Sequence, residues 1–258
     1  DMLDCLPQAE DLGYESMFMA THHAKTDGLC PAPLIACAGA ASVTKTMRIG
    51  TAVLLVPMYA PLRLAEDIAV LDNLSQGRFV FGVAPGYVAE EFAAHGIPRE
   101  QRVGRFEESL DLMTTAWTQD EFEFEGKYYK VPKTVLTPKP MQRPHPPIWY
   151  GVSATKSLQR AAKRGCVQIM SPRHGVNELK EHYTDEMTLS GTYILNTVSV
   201  GNMPTLRKAI KRNCDIQAMY TQNGIIKSNL IDIFKEVPEK DMTDDFFRGY
   251  SVAETVIN

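Results

Sequence analysis

The stretch MRIGTAVLLVP, Met47 to Pro57, decides the fold together with the residues that follow it up to Gly86. Ile49 to Val56 is β-rich and almost wholly apolar, which is typical of a strand buried on both faces. Ala60 to Ser75 carries apolar residues near the helical period, with its charges largely between them. Arg78 to Ala84 has the composition of a second buried strand. Two parallel strands joined by one helix make a βαβ unit, and this is what the stretch predicts.

The rest of the chain continues the alternation of strand and helix. Helices are predicted for residues 1–13, 31–43, 102–117, 156–164, 176–187 and 203–220. Six strand–helix pairs are visible, with strands that begin near Glu15, Ile49, Phe79, Ile148, Val167 and Tyr193. Such alternation predicts a parallel α/β architecture. The tail 225–258 shows no convincing final strand, and residues 251–258 are predicted to be helical.

One segment, at about residues 119–147, interrupts this alternation. Aromatic residues alternate with charged ones on both sides of Gly126, which predicts a β-hairpin. Six prolines follow from Pro132 to Pro147, and proline removes a backbone donor, so an irregular segment outside the strand–helix alternation is expected there. We therefore expect a single domain over residues 1–258 with an irregular excursion at about 119–147.

Composition places the chain among ordinary globular proteins. It has 258 residues, a net charge of −4, 44% hydrophobic and 22% charged residues, which suits one large domain. The weak acidity and the lack of a basic tract argue against nucleic-acid binding. No apolar run approaches the ~20 residues of a membrane helix, and no secretion signal is evident. The five cysteines lack metal-ligand spacing, so we expect no metal and a reducing, cytoplasmic environment.

The opening stretch resembles the bacterial luciferase-like, flavin-dependent monooxygenase family. Its fixed points keep one order and spacing: GTAV at 50–53, Pro57, PLRLAED at 61–67, Leu71-Asp72, LSQGRF at 74–79 and FG at 81–82. The resemblance runs from about Glu10 to Pro172. It implies a (βα)8 TIM barrel, for which ~250 residues or more are typical. Against that fold the sequence looks incomplete at the N-terminus and in the C-terminal part.

Two histidines, His22 and His23, directly follow the strand that begins near Glu15. Loops after barrel strands form the catalytic face, and imidazole suits proton transfer near neutral pH. A solvated loop with two histidines is the other interpretation. The resemblance implies a Glu-His-His sequence in which the first histidine serves the flavin chemistry, whereas this chain has Thr21 in place of the glutamate. His22 and His23 are thus the candidate catalytic residues, and the family selects His22.

Two strand ends are candidates for contact with the flavin ring. The resemblance implies a bulge or a non-prolyl cis peptide at Thr51 to Val53, so Ala52 and Val53 would support the ring; a plain core strand is the alternative. Ala84 and Tyr87 end the next strand at the same face. Relatives often carry an arginine that contacts the flavin phosphate where this chain has Pro85, so one charge partner is missing.

The turn Gly151 to Ser157 joins a strand to a helix. Backbone N–H groups at a helix N-terminus bind phosphate, and hydroxyl side chains add donors. A simple N-cap explains one of the hydroxyls equally well. The resemblance places the FMN phosphate at this turn, which makes its central residues the candidates: Ser153, Ala154, Thr155 and Ser157.

The expected function is an FMN-dependent monooxygenase. It would use O2 and reduced FMN, supplied by a separate flavin reductase, to oxygenate a small organic substrate, with the excursion walling the substrate side. An F420-dependent hydride-transfer oxidoreductase and a non-catalytic flavin-binding subunit remain alternatives. The resemblance also implies a homodimer through the helices 31–43 and 62–74, with contributions from Ala38, Ala41, Leu64 and Leu71. Arg102, Arg105 and Glu107 are expected on a solvated helix face, and His95 and His145 are assigned no role.

Overall fold

The structure is a computed structural model that describes residues 2–25, 30–152, 155–170, 192–194 and 255–257. Within these ranges the helices are α1 (Met2–Asp11), α2 (Pro33–Val43), α3 (Pro61–Leu74), α4 (Ala89–Ala94), α5 (Arg102–Thr118) and α6 (Thr155–Lys163). The strands are β1 (Ser16–Met19), β2 (Arg48–Thr51), β3 (Leu54–Leu55), β4 (Phe79–Ala84), β5 (Phe122–Glu125), β6 (Lys130–Thr134), β7 (Ile148–Val152), β8 (Val167–Met170), β9 (Thr192–Ile194) and β10 (Thr255–Ile257). The helices predicted at 176–187 and 203–220 lie outside the described residues.

Parallel strands form the centre of the molecule. The order β1-β2-β4-β7-β8-β9 follows the chain, each strand is parallel to the next, and β3 also pairs with β4. All six predicted strand positions are thereby confirmed, as is the α/β architecture. In a βα barrel, strands that follow each other in the chain lie side by side, with a helix between each strand and the next. The last strand, β10, pairs antiparallel with β9, so the helix predicted at 251–258 is wrong for residues 255–257.

Two predictions of local structure need correction. The strand expected over Ile49 to Val56 is divided into β2 and β3, and the cis peptide bond between Ala52 and Val53 lies between them. The polar loop expected from Tyr87 to Gln101 contains α4 and a 3₁₀ turn. A helix of six residues covers less than two turns, so it is too short to show a hydrophobic period.

Helices α3 and α5 cover one side of the sheet, as their apolar periods predict. Pro61 begins α3, where its missing N–H costs nothing, and Gly77 follows the helix with a φ of +75°. On α5 the predicted inward residues Phe106, Leu110 and Met113 are fully buried. The indole N–H of Trp117 donates to the carbonyl of Ala65, 3.0 Å away, and so joins the two helices. The main core therefore lies between the sheet and its helices.

A second, smaller core lies on the inner face of the sheet. Four side chains form it, Phe18, Val80, Trp149 and Ile169, and the rings of Phe18 and Trp149 stack with centroids 5.1 Å apart. Gly82 permits the close approach of β2, because a Cβ there would lie 1.7 Å from the carbonyl oxygen of Thr51. The strands β1, β4 and β7 thus have one face in each core.

The excursion is attached to α3, α5 and the start of β4. Its predicted hairpin is confirmed as the antiparallel pair β5–β6. The backbone N–H and side-chain amide of Gln142 donate to the buried carboxylate of Asp72, and the amide also reaches the carbonyl of Phe79. Asn73 donates to the carbonyl of Lys139. Phe79 begins β4, so these contacts lie at the amino ends of the strands. The hairpin tip instead packs on the first turns of α5, where the carboxylate of Glu108 accepts the backbone N–H groups of Lys127, Tyr128 and Tyr129. The expectation that the excursion walls the substrate side stays a prediction.

The residues predicted for a dimer interface are mostly interior. Ala41, Leu64 and Leu71 are buried in the core of the chain itself, since α2 and α3 pack on the sheet with that face. Ile35, on the same helix as Ala41, is 76% exposed. The homodimer stays a prediction. The described residues contain no helix long and apolar enough to cross a membrane.

Candidate active site

Four chain segments meet at the carboxyl ends of the parallel strands. The histidine loop, defined here as residues 21–25, follows β1, and Ala52-Val53 follows β2. Ala84 ends β4 and leads to Tyr87, while Gly151 and Val152 end β7. Carboxyl ends of parallel strands lie at one edge, so the fold brings these predicted segments to the same face. Ser153 and Ala154 lie outside the described residues.

Small residues line the strand ends above the inner core. Ala52 and Val53 pack against the cluster of Phe18 and Trp149. At Gly151 an added Cβ would lie 3.0 Å from Cγ1 of Val53 and 3.2 Å from Cβ of Ala84. The strand ends therefore bring small and apolar residues together as an apolar floor. A floor of this kind suits a flat aromatic ring.

The backbone at this floor is held by hydrogen bonds between strands. The N–H of Ala52 donates to the carbonyl of Met19 over 2.9 Å. The hydroxyl of Thr51, fully buried, donates to the carbonyl of Gly82 over 2.6 Å. Together with the cis bond between Ala52 and Val53, these contacts set the position of the two residues predicted to support the ring.

The two histidines of the histidine loop differ in their surroundings. His23 is only 7% exposed, and its backbone N–H donates to Oε1 of Glu91 over 2.9 Å. Its ring meets that of His95 edge to face, with centroids 4.6 Å apart. His22 is half-buried. Thr21, which stands where the family has glutamate, is buried, and its backbone forms an isolated parallel β-bridge with Cys30.

Burial and charge act on the pKa of His23 in different directions. Burial lowers it below 6.5, and the neighbouring His95 and His22 lower it further, while the charge of Glu91 raises it. The net result is a lowered pKa, so the ring is neutral near pH 7. Among the described residues, Nε2 of His23 and the hydroxyl of Thr21 have no hydrogen-bond partner. Two buried polar atoms without a protein partner on one loop point to a ligand or water beside it.

Sequence reasoning missed Glu91 and His95. Both lie at α4, and the carbonyl of Glu91 lies 2.9 Å from Nδ1 of His95. Their spacing of four residues, which puts both on one face of a helix, was the available signal. This spacing could not be recognised as helical, because the sequence does not predict a helix there.

The segment after β4 is open to solvent at Tyr87, which is 70% exposed. Gly86 has a φ of +74°, and the ring of Phe92 lies 3.1 Å from where its Cβ would be. Nε of Arg99 donates to the carbonyl of Tyr87 over 3.0 Å. A guanidinium thus reaches the loop in which Pro85 replaces the arginine of the family.

The helix start predicted after β7 is confirmed. Thr155 is the first residue of α6, and Ser157, half-buried, lies in the first turn. The N-terminus of this helix therefore lies at the carboxyl end of β7, where its N–H groups and dipole favour an anion.

The carboxylate of Glu107, expected on a solvated helix face, instead accepts hydrogen bonds from two side chains. Tyr150 donates its hydroxyl to Oε1 of Glu107 over 2.6 Å, and Nε of Arg164 donates to Oε2 over 2.7 Å. The prediction of a solvated face is wrong for Glu107, because α5 turns it towards β7 and the end of α6. Burial and the bond to Glu107 raise the pKa of Tyr150.

Comparison with known proteins agrees with the geometry. The model of the luciferase-like monooxygenase family matches residues 1–188. The chain is 30% identical over 176 residues to the oxygenase component of flavin-dependent trigonelline monooxygenase from Acinetobacter baylyi, covering 67% of this chain and 49% of that protein. The chain spans about half the length of the curated relatives it matches.

Solved structures share the fold. Monooxygenase RslO1 from Streptomyces bottropensis is 27% identical with a TM-score of 0.68, over 72% of this chain and 58% of that one. An F420-dependent secondary alcohol dehydrogenase has a TM-score of 0.63 at 19% identity, over 74% and 63%, and so shows the fold alone. The matched residues, the strand order and the site at the carboxyl ends of the strands agree, and the chain belongs to the luciferase-like monooxygenase family.

Proposed function

We propose that the protein is the oxygenase of a flavin-dependent monooxygenase that uses reduced FMN and O2 on a small organic substrate. The observation that carries the proposal is the apolar floor of Ala52, Val53, Ala84 and Gly151 at the carboxyl ends of the parallel strands, where the histidine loop also begins. A flat flavin ring fits the floor, and the histidine loop borders it. Family membership and the flavin-dependent relative support the same assignment.

The residues present divide the work of holding the cofactor. Ala52 and Val53 support the ring from below, and Ala84 and Tyr87 border it at the end of β4. The turn after β7, with Ser153, Ala154, Thr155 and Ser157, holds the phosphate at the start of α6. Bound reduced FMN supplies the electrons that activate O2.

The histidine loop supplies proton chemistry. His22 acts as the donor of a hydrogen bond or proton to the oxygen that reacts, while the neutral ring of His23 packs behind it. The apolar floor keeps water from the reacting face, which protects a reactive oxygen species from side reactions. The protein itself thus holds and orients the cofactor and transfers one proton.

Partners follow from the same assignment. A separate flavin reductase delivers reduced FMN, in line with the relative that is named an oxygenase component. A homodimer is expected from the family resemblance. The exposed apolar residues Ile35, Val70 and Leu74 on α2 and α3 are the surface available for it.

The test compares cofactors on the purified protein. Binding of FMN, riboflavin and F420 is followed by fluorescence, and O2 consumption is followed after photoreduction of each cofactor with candidate substrates present. Tight FMN binding with substrate-dependent O2 uptake is the expected result. F420 binding with hydride transfer and no O2 uptake would contradict the proposal in favour of the F420 enzyme. FMN binding without turnover over a broad substrate panel would favour the non-catalytic subunit.

A further inference from the structure

Helix α4 carries a buried charge that the proposed chemistry does not use. Glu91 is only 2% exposed, whereas its neighbour Glu90 on the same helix is exposed. A buried carboxylate costs free energy unless it accepts hydrogen bonds, so its position is a constraint on the fold. Phe92, 1% exposed, packs beside Gly86 and holds α4 against the end of β4.

The buried carboxylate acts on the histidine loop. Its Oε1 accepts the backbone N–H of His23 over 2.9 Å, across 68 residues of chain. One turn further along α4, the ring of His95 covers the ring of His23, with centroids 4.6 Å apart. Residues 21–25 include two histidines and a lysine but no acid. Glu91 is therefore the carboxylate that the fold brings to the backbone of this loop.

The contact is made at the peptide group between the two histidines. A buried N–H that loses its acceptor is costly, so the side-chain oxygen of Glu91 holds the main chain at His23 in place. The ring of His23 is buried against His95, whereas His22 is half-buried and follows Thr21 at the carboxyl end of β1. A loop without this anchor would leave the choice between the two rings open.

We propose that Glu91 is a positioning residue that holds the backbone of His23 and thereby keeps His22 at the barrel mouth. The proposal rests on the proposed function for its kinetic consequence, but the contact itself does not depend on it. A displaced His22 loses its alignment with the reacting oxygen, and misplacement by about 1 Å costs on the order of 100-fold in rate.

The kinetic test uses four single variants. Glu91→Ala removes the acceptor, Glu91→Gln keeps an oxygen acceptor without charge, Glu91→Asp keeps the charge but shortens the side chain, and Glu90→Ala is the matched control on the exposed face. We expect kcat to fall roughly 10- to 100-fold in Glu91→Ala and Glu91→Asp, with KM for reduced FMN within about twofold. Glu91→Gln should recover most of kcat, and Glu90→Ala should equal the wild type.

A second readout works without turnover. Ring ¹H–¹³C spectra of the six histidines, assigned with His22→Gln and His23→Gln, report the surroundings of both rings. We expect shifts of the His22 and His23 signals in Glu91→Ala and Glu91→Asp, and small shifts in Glu91→Gln and Glu90→Ala. If the wild type lacks activity with reduced FMN, the function fails while these spectra still test the contact.

The outcomes separate cleanly. Wild-type spectra in Glu91→Asp and Glu91→Ala would overturn the proposal, as would equal loss of kcat in Glu91→Gln and Glu91→Ala. If Glu91→Ala does not fold, Glu91→Asp tests the same contact and a wild-type result there overturns it. A loss of FMN affinity that accounts for the whole kinetic effect would also overturn it, because positioning of His22 acts on kcat.

Discussion

The hydroxyl of Tyr150 and the carboxylate of Glu107 lie 2.6 Å apart and join the strand β7 to the helix α5. Arg164, just beyond α6, donates to the same carboxylate and also pairs with Asp111. The strand before the proposed phosphate turn and the end of the helix after it are thus attached to one residue. A glutamate on the outer layer therefore stabilises the unit that carries part of the site.

Loss of that glutamate should destabilise the protein. In Glu107→Ala the hydroxyl of Tyr150 stays buried without its acceptor, which costs about 1–3 kcal/mol of unfolding free energy. Urea unfolding measures it, with the exposed Glu123→Ala as control. Adding Tyr150→Phe to Glu107→Ala should cost less than the sum of the single changes, because the hydroxyl that needs a partner is gone. Strict additivity would contradict the contact.

The carboxylate of Glu10 predicts a pH dependence of stability. Partial burial raises its pKa, but hydrogen bonds from the N–H groups of Thr46, Met47 and Lys45 outweigh this and lower the pKa to about 2. A carboxyl whose folded pKa is below its unfolded value of about 4.5 stabilises the fold above pH 4.5. That stability is lost as the pH falls from 4.5 towards 2.

The measurement is urea unfolding at several pH values between 7 and 3, on the wild type and Glu10→Gln. The variant should be less stable near pH 7 by roughly 1 kcal/mol, since the carboxylate is partly solvated, and the gap should narrow on acidification. Glu15→Gln, an exposed acid close in sequence, is the control. A gap that is independent of pH would show that the charge of Glu10 is not involved.

The apolar floor should tolerate no added side chain. Gly151→Ala places a methyl group 3.0 Å from Val53 and 3.2 Å from Ala84, at the surface proposed for the flavin ring. FMN affinity should fall at least tenfold, about 1.4 kcal/mol. Gly39→Ala, in the middle of α2, is the matched control and should bind FMN as the wild type does. Equal affinity in both variants would remove Gly151 from the site.

The turn after β7 should recognise the phosphate of FMN. Replacement of Ser153 and Thr155 by bulky aliphatic residues should weaken FMN more than tenfold, about 1.4 kcal/mol. Riboflavin has the same ring without the phosphate, so its affinity should hardly change. Fluorescence titration of both flavins gives the ratio. A folded double variant that keeps the preference of the wild type for FMN would contradict the assignment.

The two histidines should differ in what their loss does. His22→Ala should lower the rate of product formation ~10²-fold or more, with stability near that of the wild type. His23→Ala should mainly lower stability, because it removes a buried ring packed against His95. Stopped-flow absorbance after mixing with O2 and thermal unfolding separate the effects. A loss of product formation in His23→Ala but not in His22→Ala would show that His23, and not His22, is the catalytic residue.

His23 also contributes to acid sensitivity. Because its folded pKa lies below 6.5, the neutral ring is favoured by the fold, and stability is lost as the pH falls below 6.5. Between pH 7 and 5, thermal unfolding should show a smaller loss of stability for His23→Ala than for the wild type or His22→Ala.

Much of the fold was decided by local sequence. The runs of β-branched and aromatic residues and the helical period of Leu64, Ile68 and Leu71 act over neighbouring residues, so strands, helices and their order can be predicted from them. The six strand positions, the hairpin around Gly126 and the start of α6 all followed from such patterns. The family followed from the spacing of residues between Gly50 and Gly82.

Only the tertiary structure decided the surroundings of the histidine loop. Glu91 reaches His23 across 68 residues, because β1, β2 and β4 are neighbours and their carboxyl ends meet at one edge. The exposed position of Glu90 and the burial of Glu91 depend on how a six-residue helix packs through Phe92, not on its local composition. Glu107 likewise finds Tyr150 and Arg164 only when α5 lies against β7. Local pattern thus determined the elements, and packing between distant elements determined which polar groups are buried together.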